Sequence, residues 1–499
     1  MTSGKSTRRE ILSAAAAAPL LQAANPAIPD LCYLSAREMA LLIRAKKLSA
    51  RELLAAHLKQ IELINPKVNA IITLVPEMAA EAAERADETQ AKRSAGALGP
   101  LHGLPVAHKD LVETAGIRTT FGSPLFRDNV PKEDDMVVQR LKRAGAITIG
   151  KTNTPEFGAG SQTFNTVFGA TRNPYDLSKT CGGSSGGAAV SLACGMIPIA
   201  DGSDMGGSLR NPAAFCNIVG FRPSPGRVPG PKAMFPWFTL ATAGPMARSV
   251  GDLALVLSAL AGPDPAAPLS LPEPGSTFAR PLERSFKGTR IAWFKDLGGL
   301  PFDTRVRSVV DGQRSVFESL GCVVEQAEPD FTGADFAFKT LRAWNSAAGH
   351  GDRIKTKDRA AYKDTLLQEV EQGLRLTGSD IAKAQNLQGQ VWRRFQTFLE
   401  KYDYFVLPTT QVPPFDLNQP WVTEVAGVRM ESYIDWMRSC WYISTVGNPA
   451  ISVPAGFTPE GLPVGLQIVG RNHADFSVLQ LAHAFEQATN IAKKRPVFA

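Results

Sequence analysis

The most informative segments of this chain are Cys181-Gly-Gly-Ser-Ser-Gly-Gly-Ala-Ala-Val190 and Asp204-Met-Gly-Gly-Ser-Leu-Arg210. Each places serine among glycines, and glycine lets backbone N–H groups approach a reacting oxygen closely. A third segment, Gly103-Leu-Pro-Val-Ala-His-Lys-Asp110, puts a lysine at the end of a mostly apolar run. Serine needs a base to take its proton, and a lysine in apolar surroundings can lose its charge and act as that base. Together the three segments predict acyl transfer at a carbonyl carbon.

These segments resemble the signature of the amidase signature family of serine hydrolases, whose catalytic triad is Ser–Ser–Lys. The resemblance implies that Ser208 is the nucleophile, that Ser184 is a bridging serine on a cis peptide bond, and that Lys109 is the base. It also implies an α/β fold in which a central mixed β-sheet is covered on both sides by helices. The resemblance extends over residues 35–260, 448–454 and 461–470. It is weak at about 265–440, which we expect to be a variable region that shapes the substrate pocket.

Further residues around the triad are expected to contribute to the site. The backbone N–H groups of Met205, Gly206, Gly207 and Ser208 are expected to point at one oxygen and form an oxyanion hole. In the family, the backbone carbonyl at the position of Gly158 accepts a hydrogen bond from the substrate amide. Supporting roles are expected for Ser185, Ser203, Asp204 and Arg210. The last two are expected to shape the nucleophile loop by ion pairing.

Two residues depart from the family's usual pattern. His108 stands where an aliphatic residue usually precedes the lysine, and Arg222 replaces a common lysine. Neither departure removes a member of the triad. His108 places a second titratable group beside the base, so it bears on the pH profile. Asp110 follows Lys109 directly, and its carboxylate is expected to face away from the lysine because neighbouring strand residues point to opposite sides.

Composition describes an ordinary globular protein, with 44% hydrophobic and 20% charged residues. The net charge of +7 comes without a Lys/Arg cluster interleaved with aromatic residues, so nucleic-acid binding is not expected. The six cysteines show no zinc spacing and are too few for a disulfide scaffold, and the six histidines form no metal motif. We therefore expect no metal and no cofactor. The expected partner is a small-molecule amide, and a homodimer is an assembly common among such enzymes.

The N-terminus has the pattern of an export signal. Thr7-Arg-Arg-Glu-Ile-Leu12 resembles a twin-arginine motif, and the alanine-rich residues 13–24 supply a mildly apolar segment that ends in small residues. The segment is too short to span a membrane. We expect residues 1–24 to be a signal peptide, residues 30–499 to form a single amidase domain, and the mature protein to be periplasmic. The alternative is a disordered tail on a cytoplasmic enzyme.

Hydrophobic periodicity predicts helices over 35–48, 49–64, 134–144, 186–194 and 474–488, strands over 68–75, 104–108 and 147–152, and a loop over 201–210. The first two helices each begin with Ser-Ala-Arg-Glu, which has the form of a capping box. Asn65-Pro66 is expected to end the second helix. Within the variable region, a strand–helix–strand unit is expected over 288–326 and mostly helix over 331–400.

The sequence therefore predicts a metal-independent amidase that converts a carboxylic amide to a carboxylate and an amine or ammonia through a seryl acyl-enzyme. Two alternatives stay open: the A subunit of a tRNA-dependent amidotransferase, and a non-catalytic ligand-binding protein on the same scaffold. The expected export argues against the first, since tRNA and ATP are not available outside the cytoplasm. The complete triad argues against the second. Met234-Phe-Pro-Trp-Phe238 is expected to line an apolar acyl or aryl pocket.

Overall fold

A large mixed β-sheet forms the centre of this computed structural model, which describes residues 28–230 and 235–498. The strands of this sheet are β1 (Ile71–Leu74), β2 (Pro105–Lys109), β3 (Ile147–Thr152), β6 (Ile199–Asp204), β7 (Val219–Arg222), β8 (Thr242–Ala247), β9 (Arg290–Trp293), β10 (Val323–Gln326), β11 (Tyr404–Pro408), β14 (Ala450–Phe457) and β15 (Pro463–Gly470). Two short ribbons pair β4 (Phe164–Asn165) with β5 (Gly169–Ala170) and β12 (Glu424–Val425) with β13 (Val428–Arg429). Within the described residues, the eleven-stranded sheet has the order β1-β3-β2-β6-β8-β7-β14-β15-β11-β9-β10. The predicted signal peptide lies outside the described residues.

Helices flank this sheet, which confirms the predicted fold class. They are α1 (Ile28–Tyr33), α2 (Ala36–Arg44), α3 (Ala50–Val68), α4 (Pro76–Lys92), α5 (Met136–Arg143), α6 (Gly186–Ala193), α7 (Arg210–Phe215), α8 (Val250–Leu260), α9 (Thr304–Asp311), α10 (Arg314–Ser319), α11 (Ala334–His350), α12 (Asp364–Leu374), α13 (Gly378–Lys401), α14 (Arg438–Val446) and α15 (Asp475–Thr489). Helix α6 is buried along its whole length. None of the helices in the described ranges is long and apolar enough to cross a membrane.

The first helices begin and end for local reasons. Both predicted capping boxes are present, with Ser35 capping α2 and Ser49 capping α3. The expected end of α3 at Asn65-Pro66 is wrong, because the helix continues to Val68. The Asn65 side chain accepts hydrogen bonds from the N–H groups of Ala70 and Ile71, each at 2.9 Å, and so ties the last turn to β1. These local hydrogen bonds beyond the helix end accompany the continuation of the helix past the proline.

Three parallel strands carry the ends on which the site is built. Strand β2 pairs parallel with both β3 and β6, so that Lys109 and Asp204 are reached at the same edge of the sheet. The predicted loop over 201–210 is wrong in its first part, since residues up to Asp204 belong to β6. They pair antiparallel with β8 in continuous register. A segment rich in Gly and Asp reads as a loop, but its position in the middle of the sheet makes it a strand.

The variable region contributes strands to the central sheet and helices that cover the site. Strands β9 and β10 are parallel and are joined by α9 and α10, as the strand–helix–strand unit predicted. The mostly helical stretch that follows comprises α11, α12 and α13. A small separate cluster of buried apolar side chains, made by Ile354, Tyr362, Leu366 and Val370, packs against Phe157 and Ala159. Through this contact the variable region covers the loop that contains Gly158.

Candidate active site

Lys109 lies at the end of β2 and is completely buried. Its Nζ lies 2.7 Å from Ser184 Oγ, 2.9 Å from Ser185 Oγ and 3.1 Å from Ser203 Oγ. Burial lowers the pKa of the Lys109 ammonium to about 7, although the carboxylates of Asp204 and Asp201 oppose this shift. A lysine in this setting is half neutral near neutral pH, which is the state that a general base requires.

Ser184 is held between two loops. Its peptide bond with Gly183 is cis, as the resemblance implied. Thr154 Oγ1 donates a hydrogen bond of 3.0 Å to the Ser184 carbonyl, and the Ser185 N–H donates one of 3.2 Å to the carbonyl of Ser208. The second bond ties the Ser184 loop directly to the loop that carries Ser208.

The Ser208 loop is built around the carboxylate of Asp204. Arg210 donates to it through Nε and Nη2, both at 3.0 Å, and Arg222 Nη1 lies 3.2 Å from Oδ1. All three side chains are buried. Burial alone would raise the pKa of the Asp204 carboxyl, but Arg210 and Arg222 hold it well below its usual range. The expected ion pair of Asp204 with Arg210 is present, and Arg222 completes it.

The backbone amides of this turn divide into two groups. Gly207 N–H donates to Asp204 Oδ1 at 2.9 Å, so the expectation that Gly207 contributes a free oxyanion donor is wrong. The carboxylate that shapes the loop also takes up this N–H. Within the described residues, the N–H groups of Met205, Gly206 and Ser208 form no hydrogen bond. Three donors of the predicted set therefore stay available in one turn.

A cavity of about 320 Å³ opens beside these residues. It is within the size range of small-molecule sites. Ser184, Ser203 and Ser208 lie at its base together with Met205 and Gly206. Gly158 also lines it; a Cβ on Gly158 would come within 3.6 Å of Ser184 Oγ and 2.7 Å of Leu111 Cδ1. The cavity thus brings all the predicted catalytic serines and Gly158 together.

The walls of the cavity combine apolar and polar side chains. Its apolar lining consists chiefly of Leu111, Phe157, Phe235, Phe338, Ile434 and Met437. Its polar lining includes Arg342, Asn345, Ser346, Glu369 and Tyr433. Phe235 comes from the aromatic segment expected to line a pocket, whereas Trp237 is 71% exposed. Met234 lies outside the described residues.

The residues on either side of Lys109, His108 and Asp110, each have a partner of their own. His108 Nδ1 is 2.5 Å from Asp201 Oδ2, and the Lys109 N–H donates to Asp201 Oδ1 at 3.0 Å. Both His108 and Asp201 are buried. Asp110 turns away from the lysine and accepts a 2.5 Å hydrogen bond from Thr120 Oγ1, as the strand alternation predicted. Asp201 was missed by the sequence analysis because its segment was expected to be a loop.

No group of three or more His, Cys, Asp or Glu side chains in the described ranges is arranged to hold a metal ion. The cysteines of the catalytic segments, Cys181, Cys194 and Cys216, are unpaired and buried, as expected of core residues.

Comparison with known proteins identifies the family. The sequence profile described as Amidase matches residues 52–479. The chain belongs to the amidase signature family. It is 37% identical to an acylamidase of Rhodococcus erythropolis, over 94% of this chain and 98% of that protein. It is likewise 37% identical to the A subunit of the glutamyl-tRNA(Gln) amidotransferase of Moorella thermoacetica, over 94% of this chain and 99% of that protein.

The solved structures agree with this assignment. A bacterial aryl acylamidase of the amidase signature family superposes with a TM-score of 0.86 at 28% identity, over 93% of this chain and 99% of that one. The fold predicted from the sequence resemblance is thus the fold of this family, and the chain is an amidase that acts on carbon–nitrogen bonds.

Proposed function

We propose that this amidase hydrolyses its substrate with Lys109 as base, Ser184 as proton relay and Ser208 as nucleophile. The observation that carries the proposal is the 2.7 Å separation of Lys109 Nζ and Ser184 Oγ in a buried setting. Neutral Lys109 takes the proton of Ser184, and Ser184 takes that of Ser208 as its oxygen attacks the amide carbon. The carbonyl oxygen becomes an oxyanion, and the C–N bond then breaks as the proton passes to the leaving nitrogen. Water cleaves the acyl-enzyme by the same route in reverse and releases the carboxylate.

The developing oxyanion is stabilised, in this proposal, by the N–H groups of Met205, Gly206 and Ser208. These donors are fixed before the substrate arrives, because Asp204 holds the turn through the Gly207 amide and the Arg210 side chain. Removal of one such donor typically costs about 2.7–4 kcal/mol of transition-state stabilisation. Ser185 and Ser203 support the mechanism by contacting Lys109 Nζ, and Gly158 is proposed to accept from the substrate amide.

The first test is hydrolysis of a small panel by the purified protein. The panel holds an aryl anilide, a primary aliphatic amide, an amino-acid amide, a cyclic amide and an ester. Ser208→Ala and Lys109→Ala should each lose turnover of every amide, whereas Ser319→Ala and Lys132→Ala, at exposed positions, should retain it. Full activity of Ser208→Ala with intact folding would overturn the assignment of the nucleophile.

Two alternatives are separated by further measurements. An amidotransferase A subunit would co-purify with partner subunits and would need glutamine, ATP and charged tRNA for its activity. A non-catalytic binding protein would fail to react with an organophosphonate probe at Ser208. Hydrolysis by the isolated chain, together with labelling of Ser208, is the result that the amidase proposal requires.

We also propose that the twin-arginine pattern at Arg8-Arg9 exports the protein to the periplasm as a folded enzyme. The support is the sequence of residues 7–24 alone. Expression of the full chain and of the variant Arg8→Lys/Arg9→Lys, followed by fractionation, tests the proposal. Wild-type protein should appear in the periplasm and be shortened by about 24 residues. Equal cytoplasmic retention of both proteins at full length would contradict it.

A homodimer is the assembly we propose, and light scattering on the mature protein decides it.

A further inference from the structure

The polar end of the cavity is built by three separate parts of the variable region. Helix α11 presents Arg342, Asn345 and Ser346 to the cavity at helical spacing. Glu369 comes from α12, and Tyr433 comes from the segment before α14. None of these residues is needed for the proposed triad chemistry, so their arrangement calls for a separate explanation.

Charge is balanced inside this polar end. Arg342 Nη1 contacts Glu369 Oε2, and Arg342 Nη2 donates to the Tyr433 hydroxyl. Ser346 Oγ donates to Glu369 Oε1, and the Tyr433 hydroxyl donates to Glu369 Oε2 at 3.4 Å. The Glu369 side chain is only 8% exposed and that of Arg342 13% exposed. Lys363 also interacts electrostatically with Glu369 and with Glu156, so that two cations and two anions balance one another here.

Hydrogen-bonding capacity is not balanced in the same way. A carboxylate has about four acceptor sites, and Glu369 already receives three donors. A guanidinium has five N–H donors, of which these contacts engage two. The side chain of Asn345 lines the cavity and forms no hydrogen bond with any residue of the described ranges. The polar end thus offers spare donors from Arg342, and a spare donor and acceptor from Asn345.

We infer that this cavity selects amides that carry a second, uncharged carbonyl group, such as a distal amide or ester, bound by Arg342 and Asn345. The inference rests on the proposed hydrolysis at Ser208 and specifies its substrate class. A distal carbonyl accepts from the guanidinium and from the Asn345 amide, and a distal amide N–H can donate to the Asn345 carbonyl.

Other distal groups fit the polar end less well. A carboxylate would bring a net negative charge beside buried Glu369, in a group where the charges of Arg342, Lys363, Glu369 and Glu156 already balance. An ammonium would meet a carboxylate whose acceptor sites are largely filled and a guanidinium of its own sign. An alkyl group would leave the spare donors without partners in a desolvated site.

The test uses two matched series of substrates. The 4-nitroanilides carry the distal group on the acyl side, and the aliphatic amides carry it on the amine side. The distal group is a carboxamide, a methyl ester, an isopropyl group, a carboxylate or an ammonium at constant chain length. In one of the two series, the carboxamide and the ester should exceed the isopropyl compound in kcat/KM by roughly 10- to 100-fold, the range expected for hydrogen bonds to a charged donor. The two ionic compounds should fall below the uncharged carbonyl compounds.

Variants assign the effect to residues. Asn345→Leu should lower kcat/KM for the carboxamide relative to that for the isopropyl compound, and Asn386→Leu on the exposed face of α13 should leave this ratio unchanged. Arg342→Met alone would leave the buried carboxylate of Glu369 without its arginine partner and would destabilise the protein. The double variant Arg342→Met/Glu369→Gln removes both charges and avoids this cost. This double variant should abolish the preference for the distal carbonyl.

A binding measurement on an inactive variant tests the inferred substrate class separately from the proposed mechanism. Ser208→Ala is titrated calorimetrically with the same compounds, so that selectivity is measured without turnover. Selective binding without wild-type hydrolysis would refute the catalytic proposal alone. Equal binding of the carboxamide and isopropyl compounds, or preference for the carboxylate, in both series would overturn the inference.

Discussion

The pH dependence of catalysis follows from the burial of Lys109. Burial lowers the pKa of its ammonium to about 7, against the opposing carboxylates of Asp204 and Asp201. At pH 7 about half of the molecules then hold a neutral base, whereas a lysine with the ordinary pKa of about 10.4 would be neutral in roughly 4 of 10,000 molecules. Burial thus increases the competent fraction by about three orders of magnitude. We expect kcat/KM to rise with pH, with a slope of one, and to be half-maximal near the pH at which Lys109 titrates.

Asp201→Asn is the perturbation that tests this assignment. The carboxylate of Asp201 favours the charged lysine, so its removal should lower the pKa of Lys109 further and move the acid limb to lower pH, by up to about one unit. Asparagine keeps an oxygen that can accept from the Lys109 N–H. Asp128→Asn, at an exposed position, is the matched control and should leave the profile in place.

The assay is kcat/KM for one anilide between pH 5 and pH 10 in buffers of constant ionic strength. Other titratable groups face Asp201, namely His108, Lys151 and Asp135. The profile of His108→Gln excludes the histidine, because an acid limb that belongs to Lys109 must persist in that variant. A wild-type profile that is flat from pH 5 to pH 9, or a shift of the Asp201→Asn limb to higher pH, would refute the assignment of Lys109 as the titrating base.

Two further predictions concern the same buried groups. Lys109→Met should raise the free energy of unfolding at pH 7, because between about pH 7 and the ordinary lysine pKa the unfolded wild-type protein binds a proton that the folded protein lacks. Calorimetry should show that the difference in stability between the variant and the wild type shrinks as the pH rises towards 10. A difference that grows with pH would contradict this linkage. Gly207→Ala should lower kcat by about 100-fold or more, since Gly207 has φ +121° and a Cβ there would lie 2.6 Å from Cys440 Cβ and displace the oxyanion turn. Gly461→Ala, also at positive φ but with no described atom within 4 Å of the new Cβ, controls for backbone strain and should keep its activity.

The arrangement of the candidate site could be predicted because its determinants are local in sequence. Lys109 ends a short apolar strand, and the glycines around Ser184 and Ser208 indicate tight turns beside these serines. The three hydroxyls around Lys109 Nζ come from a stretch of only 20 residues, 184–203. The local sequence pattern and the family resemblance therefore single out the same residues, and both predict acyl transfer.

The errors have a common physical origin in tertiary structure. Residues 201–204 form a strand because β8 pairs with them, and no feature within the segment announces that partner. The same pairing buries Asp201 beside His108, so the histidine that departs from the family pattern acquires a carboxylate 2.5 Å away. The N–H of Gly207 was expected to be free, but it is taken by the carboxylate three residues earlier. The first two contacts depend on a distant strand, whereas the third is local and was missed because the orientation of the Asp204 side chain is set by its buried arginine partners.

Specificity is less predictable than catalysis for the same reason. Arg342, Asn345, Glu369 and Tyr433 lie up to 91 residues apart in the chain and meet only because three segments of the variable region converge on one cavity. Relatives can keep the Ser208 loop and still differ at these positions, since nothing in the triad geometry depends on them. An acylamidase and an amidotransferase A subunit are both 37% identical to this chain, so overall identity does not distinguish between two such activities. The balance of charge and spare hydrogen bonds at the polar end is the property on which substrate choice depends, and a change at Asn345 should alter it while leaving the acyl-enzyme chemistry intact.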